Sequence, residues 1–231
     1  MREIWTYALS KARNELFSEL QTNGFFSKKI CDWVGDHIDM VWISCDGPPD
    51  IQNYYRPTRG GGACAPVVER NILALSKAGK GVGIRATIGN INISRQREMI
   101  DYFASLGIKA IFADHMCKPV SELVHMNKTY KLVEVEPLEY AKSFLEAKKY
   151  TDEKGIFYSN FLLVNFDEPV EIACRAMLPT PQLNPSGYVS SCDMATDVTG
   201  GRMDDLIYGY FEPETGNIIH YLCTLYLAVT C

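Results

Sequence analysis

Between Leu16 and Glu153, short apolar runs of strand length alternate with amphipathic runs of helix length, four times over. Antiparallel strands can be joined by two residues, whereas connections of a dozen or more residues with helical periodicity imply crossovers between parallel strands. The alternation therefore predicts a parallel sheet with helices packed outside it. The predicted strands are Leu16–Gln21, Met40–Ile43, Gly81–Ile88, Ile108–Ala113 and Gly155–Tyr158. Four to five strands do not close a barrel, so the expectation is an incomplete, curved (β/α) sheet.

The run Met40-Val41-Trp42-Ile43 ends abruptly in Ser44-Cys45-Asp46-Gly47 and a proline pair. Gly and Pro bound it as they bound a buried parallel strand. Its polar residues fall just past the C-terminal end, where α/β sheets place their ligands. Helical spacing predicts Ile4–Asn14, then a helix capped by Ser27 that carries Ile30, Trp33 and Val34 inward. It also predicts Cys64–Ala78 with Val67, Val68, Ile72 and Leu75 buried, Ser94–Leu106 stopped by Gly107, and Pro137–Glu153. Thr22-Asn23-Gly24 reads as a turn, and Gly60-Gly61-Gly62 as a hinge without the strand and Lys-Ser of a phosphate loop. Arg85 stands inside a buried strand and needs an anionic partner, either a nearby Asp or Glu or a ligand carboxylate. From about Asn165 the composition shifts to Gly, Pro, Asp, Thr and Tyr, with hairpin turns at Asn184–Gly187 and Glu212–Asn217. The expected division is residues 1–160 and a small β-rich appendage over 161–231.

The net charge of -5 argues against bulk nucleic-acid binding, and no apolar run reaches the ~18 residues of a membrane span. The start reads as a charged amphipathic helix rather than a signal peptide, so the expected setting is cytoplasmic. Eight cysteines in a reducing compartment point to metal or redox chemistry. Cys31, Cys64 and Cys117 are expected to be buried, inert thiols.

Four segments together resemble the radical S-adenosylmethionine (SAM) enzymes. FSELQTNG is similar to their third strand and its turn, ISCDGPP with the following YYRP to the fourth, GVGIRATI to the fifth and GIKAIF to the sixth. Cys45 replaces the usual Leu. The resemblance implies a partial barrel in which Asn23, Ser44 and Arg85 hold the ribose and carboxylate of SAM. Asp46 is expected to tie its own loop through Asx-type bonds. The tail, Cys174 followed by LNPSGYVSSCD, resembles the SPASM domain of peptide-modifying members. That implies Cys174 and Cys192 as thiolate ligands of an auxiliary 4Fe-4S cluster. It also implies Asp193 as the group that removes a proton from the substrate radical, with a solvated hairpin carboxylate as the alternative. The parent activity so implied is hydrogen abstraction by a 5′-deoxyadenosyl radical from a peptide or small protein.

Three features depart from the family. The cysteines stand at 31, 45, 64, 117, 174, 192, 223 and 231, so no Cys-x3-Cys-x2-Cys is present, and neither is the Gly-Gly-Glu-Pro segment that grips SAM. Cys223 and Cys231 do not match the closely spaced cysteines of the auxiliary clusters. The expectation is a piece of a longer enzyme, inactive alone and with an aggregation-prone strand edge at Leu16–Gln21. The alternative is a non-catalytic binding or scaffolding module on the same fold.

Overall fold

Five strands form one wholly parallel sheet whose spatial order follows the chain. A computed structural model describes residues 2–13, 15–116, 123–125, 128–130, 135–160, 181–192, 195 and 206–221. The elements run α1 (Arg2–Lys11), β1 (Glu19–Thr22), α2 (Lys28–His37), β2 (Met40–Ser44), α3 (Pro49–Tyr55), α4 (Ala65–Lys77) and β3 (Gly81–Ile88). A 3-10 turn (Ile93–Arg95) leads into α5 (Gln96–Ser105), then β4 (Ala110–His115), the short antiparallel pair β5 (Leu123–His125) and β6 (Lys128–Tyr130), α6 (Pro137–Glu153) and β7 (Phe157–Ser159). The sheet order is β1-β2-β3-β4-β7. With no reversal of order, right-handed crossovers put the helices on one face, which is the arrangement of a barrel wall.

Burial follows that arrangement. Val41, Ile43, Val82, Ile84, Ala86, Ile88, Ile111 and Ala113 alternate along the strands and share one core with Val34, Val68, Ile72, Leu75, Ile100, Phe103 and Phe144 from the helices. Each fully buried Ile, Leu or Phe contributes about 1.5–3 kcal/mol. Val67 is only half-buried, and Ile30 is 41 % exposed, so α2 buries Cys31 and Val34 instead of the expected Ile30. The helix α6 has the predicted bounds, with Pro137 in its first turn.

Several elements depart from the sequence expectation: β4 and β7 each begin two residues later than predicted, β5 and β6 are additional, and α3 and β1 differ for identifiable reasons. The proline pair does more than stop β2: Pro49 opens α3, whose Ile51 and Gln52 are buried. Strand β1 starts at Glu19, because Ser18 is already engaged. Its backbone N–H and its hydroxyl both donate to the Asp39 carboxylate, each at 2.7 Å, and its carbonyl accepts from Met40 N–H. Leu16 and Phe17 are therefore outside the strand and exposed.

The chain divides into two compact units, Met1–Leu163 and Val164–Cys231. The second unit holds a four-stranded antiparallel sheet in the order β11-β10-β9-β8, formed by β8 (Gln182–Leu183), β9 (Tyr188–Ser190), β10 (Ile207–Glu212) and β11 (Asn217–His220). Both predicted turns are present. In the first, the Asn184 side chain accepts from the backbone of Ser186 and Tyr188, each at 3.0 Å. No described helix is long and apolar enough to cross a membrane.

Candidate functional site on the open face of the sheet

The strand residues that do not enter the core form the opposite face of the parallel sheet. The register sets Gln21, Trp42, Gly83, Ala110 and Phe157 in one row across all five strands. Ser44, Arg85, Phe112 and Ser159 form the next row toward the C-terminal ends, and Thr87 pairs with Asp114 beyond it. The lower rows are aromatic. Trp42 meets Phe112 edge-on at 5.1 Å, and Phe112 meets Phe157 at 5.7 Å. The Trp42 indole lies directly over Gly83: a Cβ there would stand 2.1 Å from Cζ3, so only glycine leaves room. The result is an aromatic floor beneath a polar row.

Arg85 crosses that polar row. One end of its guanidinium donates to Gln21 Oε1 at 2.8 Å, and the other donates to Asp114 Oδ2 at 3.2 Å. Both ionic side chains are about a quarter exposed, at 26 %. Of the two partners open for Arg85 in the sequence, the carboxylate in place here is Asp114. Ser44 is the register partner of Arg85, and Thr87 lies one row above. Both are half-buried, and neither hydroxyl makes a hydrogen bond among the described residues.

Asn23 follows the last paired residue of β1 and is exposed. Its side chain accepts from Phe25 N–H at 3.0 Å, while Thr22 Oγ1 accepts from Gly24 N–H. Gly24 has φ +68°, and a Cβ there would come within 2.7 Å of Ile43 Cγ2, so the turn needs glycine for both reasons. Asn71 on α4 fixes the turn from behind, donating to the carbonyls of Gly24 and Phe26 at 2.8 and 2.9 Å. Nothing in the local sequence of the turn points to Asn71.

Asp46 does not tie its own loop through Asx-type bonds, as the sequence suggested. Its carboxylate, 1 % exposed, accepts from Arg56 Nε at 2.6 Å and Nη2 at 3.2 Å, and from Thr87 N–H at 2.8 Å. Its backbone N–H donates to Gln52 Oε1, and its carbonyl accepts from Asn92 Nδ2. One buried carboxylate thus joins the ends of β2, α3 and β3, and thereby holds Ser44 and Thr87 in place. A buried charge paired and hydrogen-bonded this fully is the arrangement that offsets desolvation.

The thiols behave as structural groups. Burial pushes Cys45 up to about 12 and raises Cys31 and Cys64 as well. Such thiols are poor nucleophiles and poor metal ligands. Cys117, Cys174, Asp193, Cys223 and Cys231 lie outside the described residues. Cys192 is half-buried just after β9, with its carbonyl accepting from Ser190 Oγ at 2.7 Å. Among the described residues no three His, Cys, Asp or Glu side chains are grouped to hold a metal ion.

No protein-family model matches the sequence. Solved structures do match the fold. The anSMEcpe structure with bound AdoMet and the Kp18Cys peptide superposes with a TM-score of 0.65 at 17 % identity, covering 91 % of this chain and 60 % of that one. Streptococcus suis SuiB bound to S-adenosylmethionine gives 0.59 at 11 % identity, covering 80 % and 45 %. SuiB bound to its precursor peptide SuiA gives 0.56 at 12 %, covering 77 % and 42 %. This chain spans about half the length of these proteins. It has the fold of the radical SAM partial barrel.

Proposed function

We propose that the open face of the parallel sheet binds S-adenosylmethionine, and that the chain belongs to a system acting on a peptide. The observation that carries this reading is Arg85, set among the unbonded hydroxyls of Ser44 and Thr87 at the C-terminal ends of parallel strands. A guanidinium takes a carboxylate in a forked geometry, and hydroxyls suit a ribose. In this reading Arg85 holds the carboxylate, Ser44, Thr87 and Asn23 face the sugar, and Trp42, Phe112 and Phe157 keep water from below. SAM, when bound and reduced, supplies a 5′-deoxyadenosyl radical. The likeness to proteins solved with AdoMet and peptides supports both the cofactor and the substrate class.

In the tail, Cys174 and Cys192 serve as auxiliary-cluster ligands and Asp193 as a proton acceptor. The resemblance and the β8–β9 hairpin that leads to Cys192 support this part. Loss of bound iron in Cys192→Ser after reconstitution checks it, and unchanged iron content counts against it. The working setting is cytosolic. These residues lack Cys-x3-Cys-x2-Cys, so by themselves they bind and orient SAM without cleaving it.

Calorimetric titration of SAM into the full chain tests the central reading. Saturable binding should weaken tenfold or more in Arg85→Gln, as expected when a charge-assisted pair of about 1.5–3 kcal/mol is lost. Equal affinity in the two proteins would overturn it.

A further inference from the structure

The outer side of β1 has no strand beside it among the described residues. Met40 N–H donates to the Ser18 carbonyl, and the parallel register from Glu19 and Met40 onward then spends the backbone groups of Leu20 and Thr22 on β2. The N–H and C=O of Glu19 and Gln21 are left on the outer edge. Such an edge is a template for a further strand, and this one carries neither a proline nor a bulge against it. Large apolar side chains flank it. Leu16 and Phe17 precede the strand and Phe25 follows it, all exposed, with Phe17 at 75 %. The helix α1, held to α2 where Trp5 meets Trp33 and His37 edge-on, adds Ile4 and Tyr7, 74 % and 65 % exposed. At ~200 Å² for a large side chain, these five expose on the order of 600 Å². That reaches the top of the ~300–600 Å² range for the largest apolar patch on a monomer. With the edge backbone it approaches the ~800 Å² that each partner gives to a stable complex.

Charge and symmetry say which partner fits. Residues 1–24 carry three cationic and three anionic side chains, while the whole chain carries -5. A second copy of an acidic chain meets net repulsion overall but none at this neutral face. A two-fold axis normal to the sheet pairs the two β1 edges antiparallel and keeps both helix layers on one side, so that α1 meets α1. It also sets the end bearing Leu16, Phe17 and Glu19 against the end bearing Phe25 and Lys29. We propose that this chain forms a two-fold homodimer by antiparallel pairing of its β1 edges, sealed by the apolar side chains of α1 and of the strand's two flanks.

Sedimentation velocity of the full chain over a range of concentrations tests this. The wild type should sediment as a discrete dimer at tens of micromolar. Phe17→Glu places a charge in the apolar seal, and Glu19→Pro deletes an outward N–H while sparing the ladder to β2. Each change occurs twice in a two-fold interface, so each should weaken dimerisation tenfold or more. Leu145→Glu, at a position on α6 that is 60 % exposed, should leave the dimer constant unchanged. Circular dichroism reports whether the variants fold. In the wild type, hydrogen exchange at the Glu19 and Gln21 amides should slow as concentration rises. A wild-type monomer at these concentrations, open-ended aggregates without a dimer, a dimer indifferent to both variants, or edge amides whose exchange ignores concentration would each overturn the inference. Edge amides protected in a monomer would mean that the chain itself covers β1, which also overturns it.

Discussion

Removing Arg56 should damage the protein more than removing its partner Asp46. The asymmetry follows from exposure: the Asp46 side chain is 1 % exposed and the Arg56 side chain 36 %. Arg56→Ala leaves a carboxylate deep in the fold with Thr87 N–H as its remaining donor. Breaking a buried pair in this way costs about 3–5 kcal/mol, against a total stability of about 5–15 kcal/mol. Asp46→Asn keeps an acceptor for Thr87, and the guanidinium left behind reaches water, so about 1–3 kcal/mol is expected. The double variant should fall short of the sum by about 1–3 kcal/mol, because the second change removes a charge the first had stranded. Urea unfolding followed by tryptophan fluorescence measures this, since Trp5, Trp33 and Trp42 all lie in the first unit. An Arg56→Ala cost below about 1 kcal/mol, or strict additivity, would refute the account of Asp46 as a buried charge sustained by Arg56.

Two further outcomes follow from the same sheet. Gly83→Ala should destabilise by about 1–3 kcal/mol through the clash with the Trp42 indole, and much less in a Trp42→Ala background. A neutral Gly83→Ala, read by the same unfolding assay, would mean the indole does not depend on that gap. At alkaline pH the buried thiol also matters. The Cys45 pKa is raised from its ordinary 9.0 to about 12, so the folded state keeps a proton that the unfolded state releases. Stability from this source is complete below pH 9 and declines as pH rises toward 12, with Tyr55, held at about 12 by burial, adding to the decline above pH 10. Cys45→Ala should flatten the stability curve between pH 9 and 10, and an unchanged slope would exclude the thiol as its source.

The fold was legible where periodicity decides it. The residues from Met40 to Ile43 and from Gly81 to Ile88 declare their strands, and Pro137 to Glu153 its helix to the residue. Ser44 and Arg85 stood out because a polar side chain at a strand end or within a buried strand is anomalous. Their neighbours did not. Asp114 becomes a partner of Arg85 only when β3 and β4 are adjacent in a particular register, and no single strand carries that information. Asp46 invited a local explanation, since Asx turns are short-range, yet its carboxylate reaches across to Arg56 and to β3. The helix α3 is hidden in the sequence because a proline after a strand serves equally as a stop and as the start of a helix, and Pro49 is the latter. The ends of the Leu16–Gln21 strand shifted because Ser18 spends its donors on Asp39, a contact set by tertiary structure.

The order β1-β2-β3-β4-β7 also bears on how the chain assembles. No pairing in this sheet is a hairpin: Met40 finds Gly81 across two helices, and Ala110 finds Phe157 across α6 and the β5–β6 pair. Such distant closures are slow beside a hairpin like β10–β11, which turns through Pro213–Gly216 and can form in microseconds. The same order gives a compensating advantage during synthesis. Strands leave the ribosome in the sequence in which they stand in the sheet, so each arrival docks on the growing edge. None has to be inserted between two strands already joined, and Arg85 gains its carboxylate neighbour when β4, bringing Asp114, docks beside β3.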